Sequence, residues 1–357
     1  MAEIADTVTA AGERSPPRPG FRPAAVPLAA ALLLACVVLG TSVGPAAIAP
    51  DEVLRVVLGH VLGLDLAAGP VADSIVWQIR LPRVLLAGLV GGTLAFSGAA
   101  YQGVFRNPLA DPYLLGVASG AGFAETAAIV AGLPLVFAGF SLLTLVGFAG
   151  AVASVLLAYS IARLAGRASS MTLILAGVAV SAINVAGISY LMIVSNENAL
   201  EILNWLLGGL NSSAWSDLRF ILPYSLAAGL IISLHGRLLN VLQLPELEAR
   251  QVGVDVERTR VVLLLAASLA AAAAVAVAGV IGFVGLIVPH AVRLLVGPDY
   301  RRLLPLSALG GASFLIVADL IARTMVSPGE VPVGVVTAFV GGPFFLYLLR
   351  RQRRLTI

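Results

Sequence analysis

Residues 261–296 read VVLLLAASLAAAAAVAVAGVIGFVGLIVPHAVRLLV, and this stretch decides the class of fold. Arg293 is its only Asp, Glu, Lys or Arg residue. One helix of this length would extend about 54 Å at ~1.5 Å per residue, whereas the hydrocarbon core of a bilayer is about 30 Å thick. The stretch therefore predicts two membrane-spanning helices that fold back near Gly282 and Gly285, and the second helix, which contains Pro289, would be short.

The rest of the chain has the same character. Of its 357 residues 59% are hydrophobic and 11% are charged, and its mean hydropathy is +0.99. A water-soluble domain of this size does not tolerate such a balance. We expect an all-α polytopic membrane protein with about ten transmembrane helices, at 26–48, 84–104, 113–133, 139–162, 171–194, 218–239, the two parts of 261–296, 303–324 and 333–349.

The arginines predict the orientation in the membrane. All 22 basic residues are Arg. Ten spans place both ends of the chain on one side, and only Arg55, Arg80, Arg83, Arg219 and Arg323 then fall on the other side. Because the Arg-rich side of a membrane protein is normally cytoplasmic, we expect a multi-pass protein of the cytoplasmic membrane with both termini in the cytoplasm.

Two tails flank the predicted membrane domain, which takes residues 26–350. Residues 1–25 hold Arg14, Arg18, Arg22 and several prolines, and this composition predicts a flexible cytoplasmic tail. Residues 351–357 predict a basic cytoplasmic tail. The first apolar run resembles a secretory signal peptide cleaved near Ala47–Ala49, but Pro50 argues against cleavage, and we expect a retained span.

Composition also excludes several classes of function. Without Lys the chain has neither a Walker A phosphate clamp nor a Schiff-base lysine, so any ATP that drives it must bind to another chain. One cysteine, Cys36, and three scattered histidines predict no disulfide, no metal and no cofactor. The chain has no basic patch with interleaved aromatics, so the sequence does not indicate nucleic-acid binding. It also has no cluster of potential catalytic residues on one helix face, so it does not indicate a membrane-embedded enzyme.

Two weaker patterns concern the architecture. Pro50-Asp51-Glu52 is typical of a helix start, and the residues after it predict a short amphipathic helix on the outer surface. The segment RLPRVLLA at 80–87 faintly echoes RTRVVLLL at 258–265 from the opposite side of the membrane. This echo is what an inverted repeat would produce, and it is also what chance could produce.

Residues 240–260, NVLQLPELEARQVGVDVERTR, form a charged island between apolar stretches. Pro245 can start a helix, Glu246 and Glu248 suit its first turn, and Gly253 can end it. A polar segment of this size on the Arg-rich side is not needed to cross the bilayer. The island therefore predicts a docking handle for another protein, with an ordinary solvated loop as the alternative.

A few polar residues lie inside predicted spans. Glu125 and Asp319 are costly there and should face the bundle interior or water. They fit either hydrogen bonds that lock helices together or proton or sodium coupling in a secondary transporter. We favour the first role for them and for Gln102, Asn184 and His290, although Gln102 or Asn184 could line a transport route. Gly88-xxx-Gly92 and Gly116-xxx-Gly120 predict close helix packing.

Five segments in matching order resemble the FecCD-type permeases of ABC importers for iron–siderophores, haem and cobalamin. The resemblance runs from about residue 28 to the C-terminus. The segments are RLPR at 80–83, residues 102–120 around Arg106-Asn-Pro-Leu-Ala-Asp-Pro112, the island at 245–260, Gly282-Phe-Val-Gly285-Leu-Ile-Val-Pro289-His290, and Glu330-Val-Pro332-Val-Gly334-Val-Val-Thr337.

The resemblance implies the type II ABC importer architecture: a homodimer, or a pair of paralogous permeases, of ten-helix subunits around a central pathway. It further implies two cytoplasmic ATPase subunits and an extracytoplasmic substrate-binding protein. A cytoplasmic helix pair at about 242–257 would fit a cleft in the ATPase, and its coupling residues would be Pro245, Glu246, Glu248, Arg250, Gly253, Asp255 and Glu257.

The family also suggests roles on the outer side. Arg80, Arg83 and Arg323 would receive carboxylates of the binding protein, whereas snorkelling to the headgroups, or pairing of Arg323 with Glu330, would explain them structurally. Trp205 would lie on a short helix that forms the outer gate, or it would be an interfacial anchor. Gln102, Asn184 and Trp205 are therefore the candidates for the translocation path or gate.

These inferences predict a permease subunit, not an enzyme, that imports an iron–siderophore or a related chelate such as haem or cobalamin. ATP hydrolysis would take place in a separate subunit. The rival function is a secondary transporter driven by an ion gradient through Glu125 or Asp319.

Overall fold

The computed structural model describes residues 24–353, except 45, 47, 65, 67–68, 134–135, 138–139, 167–168 and 327–328. In this part of the chain the α-helices are α1 (Ala25–Ser42), α2 (Pro50–Leu62), α3 (Pro70–Asp73), α4 (Leu81–Phe105), α5 (Val117–Val130), α6 (Leu142–Leu164), α7 (Ser170–Val194), α8 (Ala199–Leu206), α9 (Trp215–Leu234), α10 (Gly236–Val241), α11 (Glu246–Gln251), α12 (Val256–Ala278), α13 (Val284–Val296), α14 (Tyr300–Thr324) and α15 (Val333–Arg353).

Short elements complete the described structure. A π-helical segment, Ser74–Arg80, joins α3 to α4, and 3₁₀ turns cover Pro112–Leu115 and Asn196–Asn198. Two-residue strands, β1 (Val136–Phe137) and β2 (Phe140–Ser141), pair antiparallel before α6. The protein is otherwise helical, as the sequence predicts.

The helices account for the predicted membrane spans. Seven segments are long and apolar enough to cross a membrane: 25–42, 70–105, 142–164, 170–194, 215–234, 256–278 and 300–324. Shorter apolar helices, α5, α13 and the first part of α15, occupy the three remaining predicted spans. The fold is an all-α polytopic membrane protein. Residues 1–23 and 354–357, which hold most of the predicted tails, lie outside the described residues.

The helix that contains the second predicted span begins before that span. The predicted span starts at residue 84, after two arginines, whereas the helix runs without a break from Pro70 to Phe105. Its first turns contain the π-helical segment, and Arg80 and Arg83 are buried inside the protein instead of marking a loop. The sequence did not predict this extension of the helix, because it does not show that the two charges are compensated internally.

The break in the long apolar stretch falls where the sequence predicts it. Helix α12 ends at Ala278, and α13 begins at Val284 after five non-helical residues that include Gly282. The Tyr113 hydroxyl donates to the carbonyl oxygen of Ile281 at 2.9 Å, and the Gly209 amide donates to that of Ala278 at 2.9 Å. Non-helical backbone is tolerated at membrane depth where protein groups satisfy it in this way.

Glycines let the central helices touch backbone to backbone. A Cβ atom on Gly91 of α4 would lie 2.3 Å from the carbonyl oxygen of Gly311 in α14, and one on Gly311 would lie 2.3 Å from that of Gly91. On the same helix, a Cβ atom on Gly98 would lie 1.9 Å from the carbonyl oxygen of Gly285 in α13. Helix α4 is therefore the buried centre of the bundle, with α13 and α14 packed directly on it.

The predicted glycine pairs have separate roles. Gly88 and Gly92 face Ile316 and the Ala308 carbonyl of α14, so the first pair is a packing motif. In the second pair, Gly120 packs on the Gly150 carbonyl of α6, whereas Gly116 has a φ of +83° and turns the chain into α5. Only Gly adopts the positive φ of residue 116 without strain.

We predict that Gly98→Ala destabilises the fold. The added methyl group cannot fit against Gly285, and overpacking of this kind costs about 1–3 kcal/mol. Thermal unfolding of the purified protein in detergent measures the effect as a lowered transition temperature.

Gly229→Ala in α9 is the matched control, because nothing lies within 4 Å of a Cβ atom there. It exchanges the same residue types within a helix, and we expect the transition temperature to stay unchanged or to rise slightly, since Ala is the better helix former. Equal effects of the two substitutions would contradict the packing described for α4.

Candidate functional site

The charged island folds into short helices at one end of the bundle. Pro245 precedes α11, in which the Arg250 guanidinium pairs with the Glu246 carboxylate at 2.6 Å. This hydrogen bond lowers the pKa of Glu246 below its ordinary value. Gly253, with a φ of +81°, turns the chain after α11, and the Asp255 side chain caps α12 by accepting from the Arg258 amide at 3.0 Å.

The predicted start and end signals of the island helix are therefore confirmed, but the helix pair lies earlier than expected. The range 242–257 contains one complete helix, α11, with Glu248 in its first turn, and Glu257 in the first turn of α12. The other short helix, α10, ends at Val241. The segment Gly236–Val241 directly follows α9, and the sequence predicts that the preceding span runs to residue 239, into this segment.

Two apolar side chains stand out on this polar segment. Leu247 in α11 is 70% exposed, and Val252 directly after α11 is 65% exposed. The predicted coupling residues are the charged residues of the range 242–257 together with Pro245 and Gly253, and they do not include this pair. Apolar residues inside a segment that is otherwise polar and solvated were the available signal, since such side chains are normally buried against a partner.

Hydrogen bonds tie the base of the island to two central helices. The Arg106 side chain, at the end of α4, donates to the Leu242 carbonyl oxygen, and the Gln243 amide donates to the Gly103 carbonyl oxygen at 3.0 Å. Asn240 donates to Asp299 at 2.7 Å and accepts from the Tyr300 amide at 2.9 Å, at the start of α14. These hydrogen bonds link the island to both α4 and α14.

The other end of α4 and α14 holds a buried ionic cluster. The Arg83 guanidinium binds Asp319 of α14 at 2.8 Å and Glu330 at 2.9 Å. Arg80 donates to the carbonyl oxygens of Thr41 and Ser42 at the end of α1 and to that of Ala46 beyond it.

The last arginine of the cluster, Arg323, follows the same pattern. It donates to the Gly40 carbonyl oxygen, and its Nε lies 3.7 Å from Asp319. The exposure predicted for these three arginines is wrong, since each is at most 7% exposed. The helix ends here are wrapped by α1 and by the segment around Glu330, so the guanidinium groups meet buried carbonyl and carboxylate oxygens instead of water. The alternative partner proposed for Arg323, Glu330, binds Arg83 instead.

The predicted path residues hold helices together in this structure. The Gln102 amide donates to the Leu286 carbonyl oxygen at 3.2 Å and accepts from Arg293 at 2.9 Å, which ties α4 to α13. The Asn184 amide donates to Ser154 at 2.9 Å and to Ser119 at 3.3 Å, which ties α7 to α6 and α5.

Trp205 lies at the end of the short helix α8, as the sequence predicts. A Cβ atom on Gly122 of α5 would lie 3.3 Å from its indole ring, so α8 packs closely on α5. The backbone carbonyl of Trp205 approaches Gly279, where the break between α12 and α13 begins. Trp205 therefore lies at the junction of α5, α8 and the interrupted helix.

The two membrane carboxylates have different surroundings. Asp319 is held by Arg83 and Arg323. Glu125 is 4% exposed, and no donor from the described residues reaches its Oε2. The helix-locking role favoured for both carboxylates therefore fits the contacts of Asp319, whereas the Oε2 of Glu125 makes no such bond to the described part of the chain.

Comparison with known proteins places these features in a family context. The model of the FecCD transport family matches residues 32–351. The cobalamin import system permease protein of Halobacterium salinarum is 44% identical over 298 residues, 82% of this chain and 78% of the relative. The hemin transport system permease protein of Yersinia pestis is 44% identical over 283 residues, 78% of this chain and 84% of the relative.

A solved structure shares the fold. It is an inward-facing conformation of a metal-chelate type ABC transporter, with a TM-score of 0.79 and 32% identity, and the match covers 92% of this chain and 100% of that chain.

We predict that Arg83→Gln strongly destabilises the protein, because it leaves the buried Asp319 without its main partner. Removing one member of a buried ion pair costs about 3–5 kcal/mol. Thermal unfolding in detergent measures the loss.

Two further variants make this prediction specific. Arg83→Gln combined with Asp319→Asn replaces the ion pair by a neutral amide pair and should recover much of the loss. Arg219→Gln changes an exposed arginine of α9 and should have little effect. A single Arg83→Gln variant as stable as Arg219→Gln would show that the ion pair does not hold α4 to α14.

Proposed function

Because the chain belongs to the FecCD transport family, we propose that it is the membrane-spanning permease subunit of an ATP-driven ABC importer. Its cargo would be an iron–siderophore or a related metal chelate such as haem or cobalamin. Two cytoplasmic ATPase subunits, a second permease that is identical or paralogous, and an extracytoplasmic binding protein would complete the complex. Both termini of the chain would lie in the cytoplasm.

The observation that carries the proposal is the exposed apolar pair on the island. Leu247 and Val252 lie beside a helix of charged residues, at the end of the bundle predicted to face the cytoplasm. An apolar contact surrounded by charged groups is typical of a docking site for a soluble protein. The coupling residues Pro245, Glu246, Glu248, Arg250, Gly253, Asp255 and Glu257 would form the polar rim of this contact with the ATPase.

The geometry also supports a route by which a movement of the ATPases would reach the membrane helices. The island is hydrogen-bonded to the end of α4 through Arg106 and Gln243 and to the start of α14 through Asn240. Helices α4 and α14 are joined along their length and again by Arg83 and Asp319 at the far end. Closure of the ATPases would therefore move α4 and α14 as one unit, and the gate around α8 would respond through neighbouring α5 and α12.

A surface groove of about 420 Å³ supports a weakly binding path for bulky cargo. It is lined by apolar residues and glycine from α8, the break after α12, and α15: Leu206, Leu207, Val280, Gly334, Val335, Ala338, Phe339 and Pro343. A second permease packed over this groove would close it into a pathway. Walls without charges or fixed donors would release a large chelate readily, as import requires.

The binding protein would dock at the far end, where the family places its contacts. Arg80, Arg83 and Arg323 are engaged inside the protein. We therefore assign them the role of holding the docking face in shape. Direct contacts would fall to side chains exposed at that end, such as Arg219.

The rival function, an ion-gradient-driven transporter, is favoured by one observation: no donor among the residues that the structure describes reaches the Oε2 of Glu125. The decisive experiment is uptake of labelled ferric siderophores, haem and cobalamin by the complex reconstituted in proteoliposomes. We expect uptake that requires the ATPase, stops with vanadate and persists when the proton gradient is collapsed. Uptake without ATP that disappears with the gradient would establish the rival instead.

We predict that Leu247→Asp uncouples the complex. A charge in the apolar centre of the docking contact is desolvated without a partner, so the affinity for the ATPase should fall at least about tenfold, and transport should fall with it. Copurification of the ATPase and ATP-driven uptake measure the two effects.

Leu164→Asp is the matched control, since Leu164 is 87% exposed at the end of α6 and does not belong to the island. It should leave ATPase binding unchanged. A normal complex with Leu247→Asp, or equal losses with both variants, would remove the island from the proposed interface.

A further inference from the structure

A cavity of about 380 Å³ lies behind the short helix α8. It is bounded by α5, the start of α6, α8, the start of α9 and the end of α12. These are the ends that the predicted topology places toward the outside. Neither the helix packing nor the coupling route described above uses this space.

Glu125 of α5 is the buried group that lines the cavity. Its residue is 4% exposed, and among the residues that the structure describes no donor reaches Oε2. Gly147 of α6 leaves the room that this oxygen occupies, since a Cβ atom there would lie 2.8 Å from Oε2. An ionised carboxylate buried without a partner is costly, and a cation bound beside Glu125 would supply that partner.

Two other carboxylates line the same cavity. Glu201 of α8 is exposed and interacts electrostatically with Glu125. Asp217 of α9 is occupied as a cap, since its Oδ2 accepts from the Ala214 amide at 2.9 Å. None of the described residues that line the cavity is basic, and the chain has no lysine. The cavity therefore has one carboxyl group at its base and another at its mouth.

The arrangement suits an organic cation better than a metal ion. The described residues contain no group of three or more His, Cys, Asp or Glu side chains that could hold a metal ion, and one bare ion would leave most of the space unfilled. The walls include Ile129, Leu143 and Trp205. Apolar walls bind the body of an organic ligand, and an indole ring attracts an ammonium group.

We propose that this cavity binds the protonated amine of an organic cation, with Glu125 as the buried anionic partner and Glu201 at the entrance. The ligand would bridge α5 to the gate helix α8. Two sources supply this chemistry, a cationic arm on the imported chelate or a free small amine. The first source rests on the proposed function, whereas the binding site itself does not.

The first test measures direct binding to the purified permease in lipid nanodiscs by calorimetry. The probe is 1,5-diaminopentane, and 1,5-pentanediol serves as its neutral counterpart of equal length. We expect the diamine to bind at least about tenfold more tightly than the diol, because charge-assisted hydrogen bonds contribute about 1.5–3 kcal/mol.

Three variants locate the site. Glu125→Gln keeps the size of the side chain and should lower the preference for the diamine about tenfold, and Glu201→Gln, at an exposed position, should lower it without threatening the fold. Glu197→Gln removes the same charge four residues before Glu201, outside the cavity lining, and should bind like the parent. Equal binding of diamine and diol, or equal effects of all three variants, would overturn the proposal.

A second test separates the two sources. ATP hydrolysis by the complete complex with its binding protein is compared for ferric desferrioxamine B, which carries a free ammonium group, and for its N-acetylated form. Greater stimulation by the ammonium form that Glu125→Gln abolishes would identify the cargo as the source. Diamine binding without this difference would identify a free amine. The binding test needs neither ATP nor partners, so failure of ATP-driven import would contradict the proposed function and leave the site intact.

Discussion

The contact between α4 and α14 is the constraint on which the other features depend. Gly91 and Gly311 bring the two backbones together, and no side chain separates them. In a bilayer, where lipid tails are as apolar as leucine, such close packing supplies much of the attraction between helices. The buried pair of Arg83 and Asp319 then fixes the relative position of the two helices at one end, because any sliding would leave a charge without its partner.

The remaining polar groups make their contacts at the two ends of this joined pair of helices. At one end of the joined helices, Arg80 and Arg323 bind carbonyl groups in the last turn of α1, and Glu330 joins through Arg83. At the other end, Arg106 and Asn240 hold the charged island. A rigid pair of helices with an ionic clamp at one end and a docking segment at the other can carry a displacement across the membrane. Flexible helices would absorb it.

The proposed cation site lies outside this rigid pair. Glu125 belongs to α5, which packs on α6 through Gly120 and Gly150 and on α8 through Gly122. Trp205 connects this group to the interrupted backbone at Gly279. A ligand between α5 and α8 would therefore act on the gate helix directly, and it would leave the clamp between α4 and α14 undisturbed.

Much of the fold and part of the site could be predicted from local sequence. The two spans within 261–296 follow from length and hydropathy alone, and the island helix follows from Pro245 and Gly253. The start of α4 could not be predicted, because Arg80 and Arg83 look like loop residues until their partners at 38–39 and 236 positions away in the chain are known. The apolar contact residues Leu247 and Val252 were visible in the sequence, but their exposure was not.

The sequence by itself determined that the chain crosses a membrane repeatedly, which segments cross it, and which segment stands free at the Arg-rich side. Hydrophobic length and charge distribution are local properties, and they act on each segment independently of its neighbours. Only the tertiary structure decided which charges are compensated, that Asp319 is paired while Glu125 lines a cavity, and that three arginines are buried in the interior. Charge compensation depends on distances between segments far apart in the chain, and those distances exist only after the helices have packed.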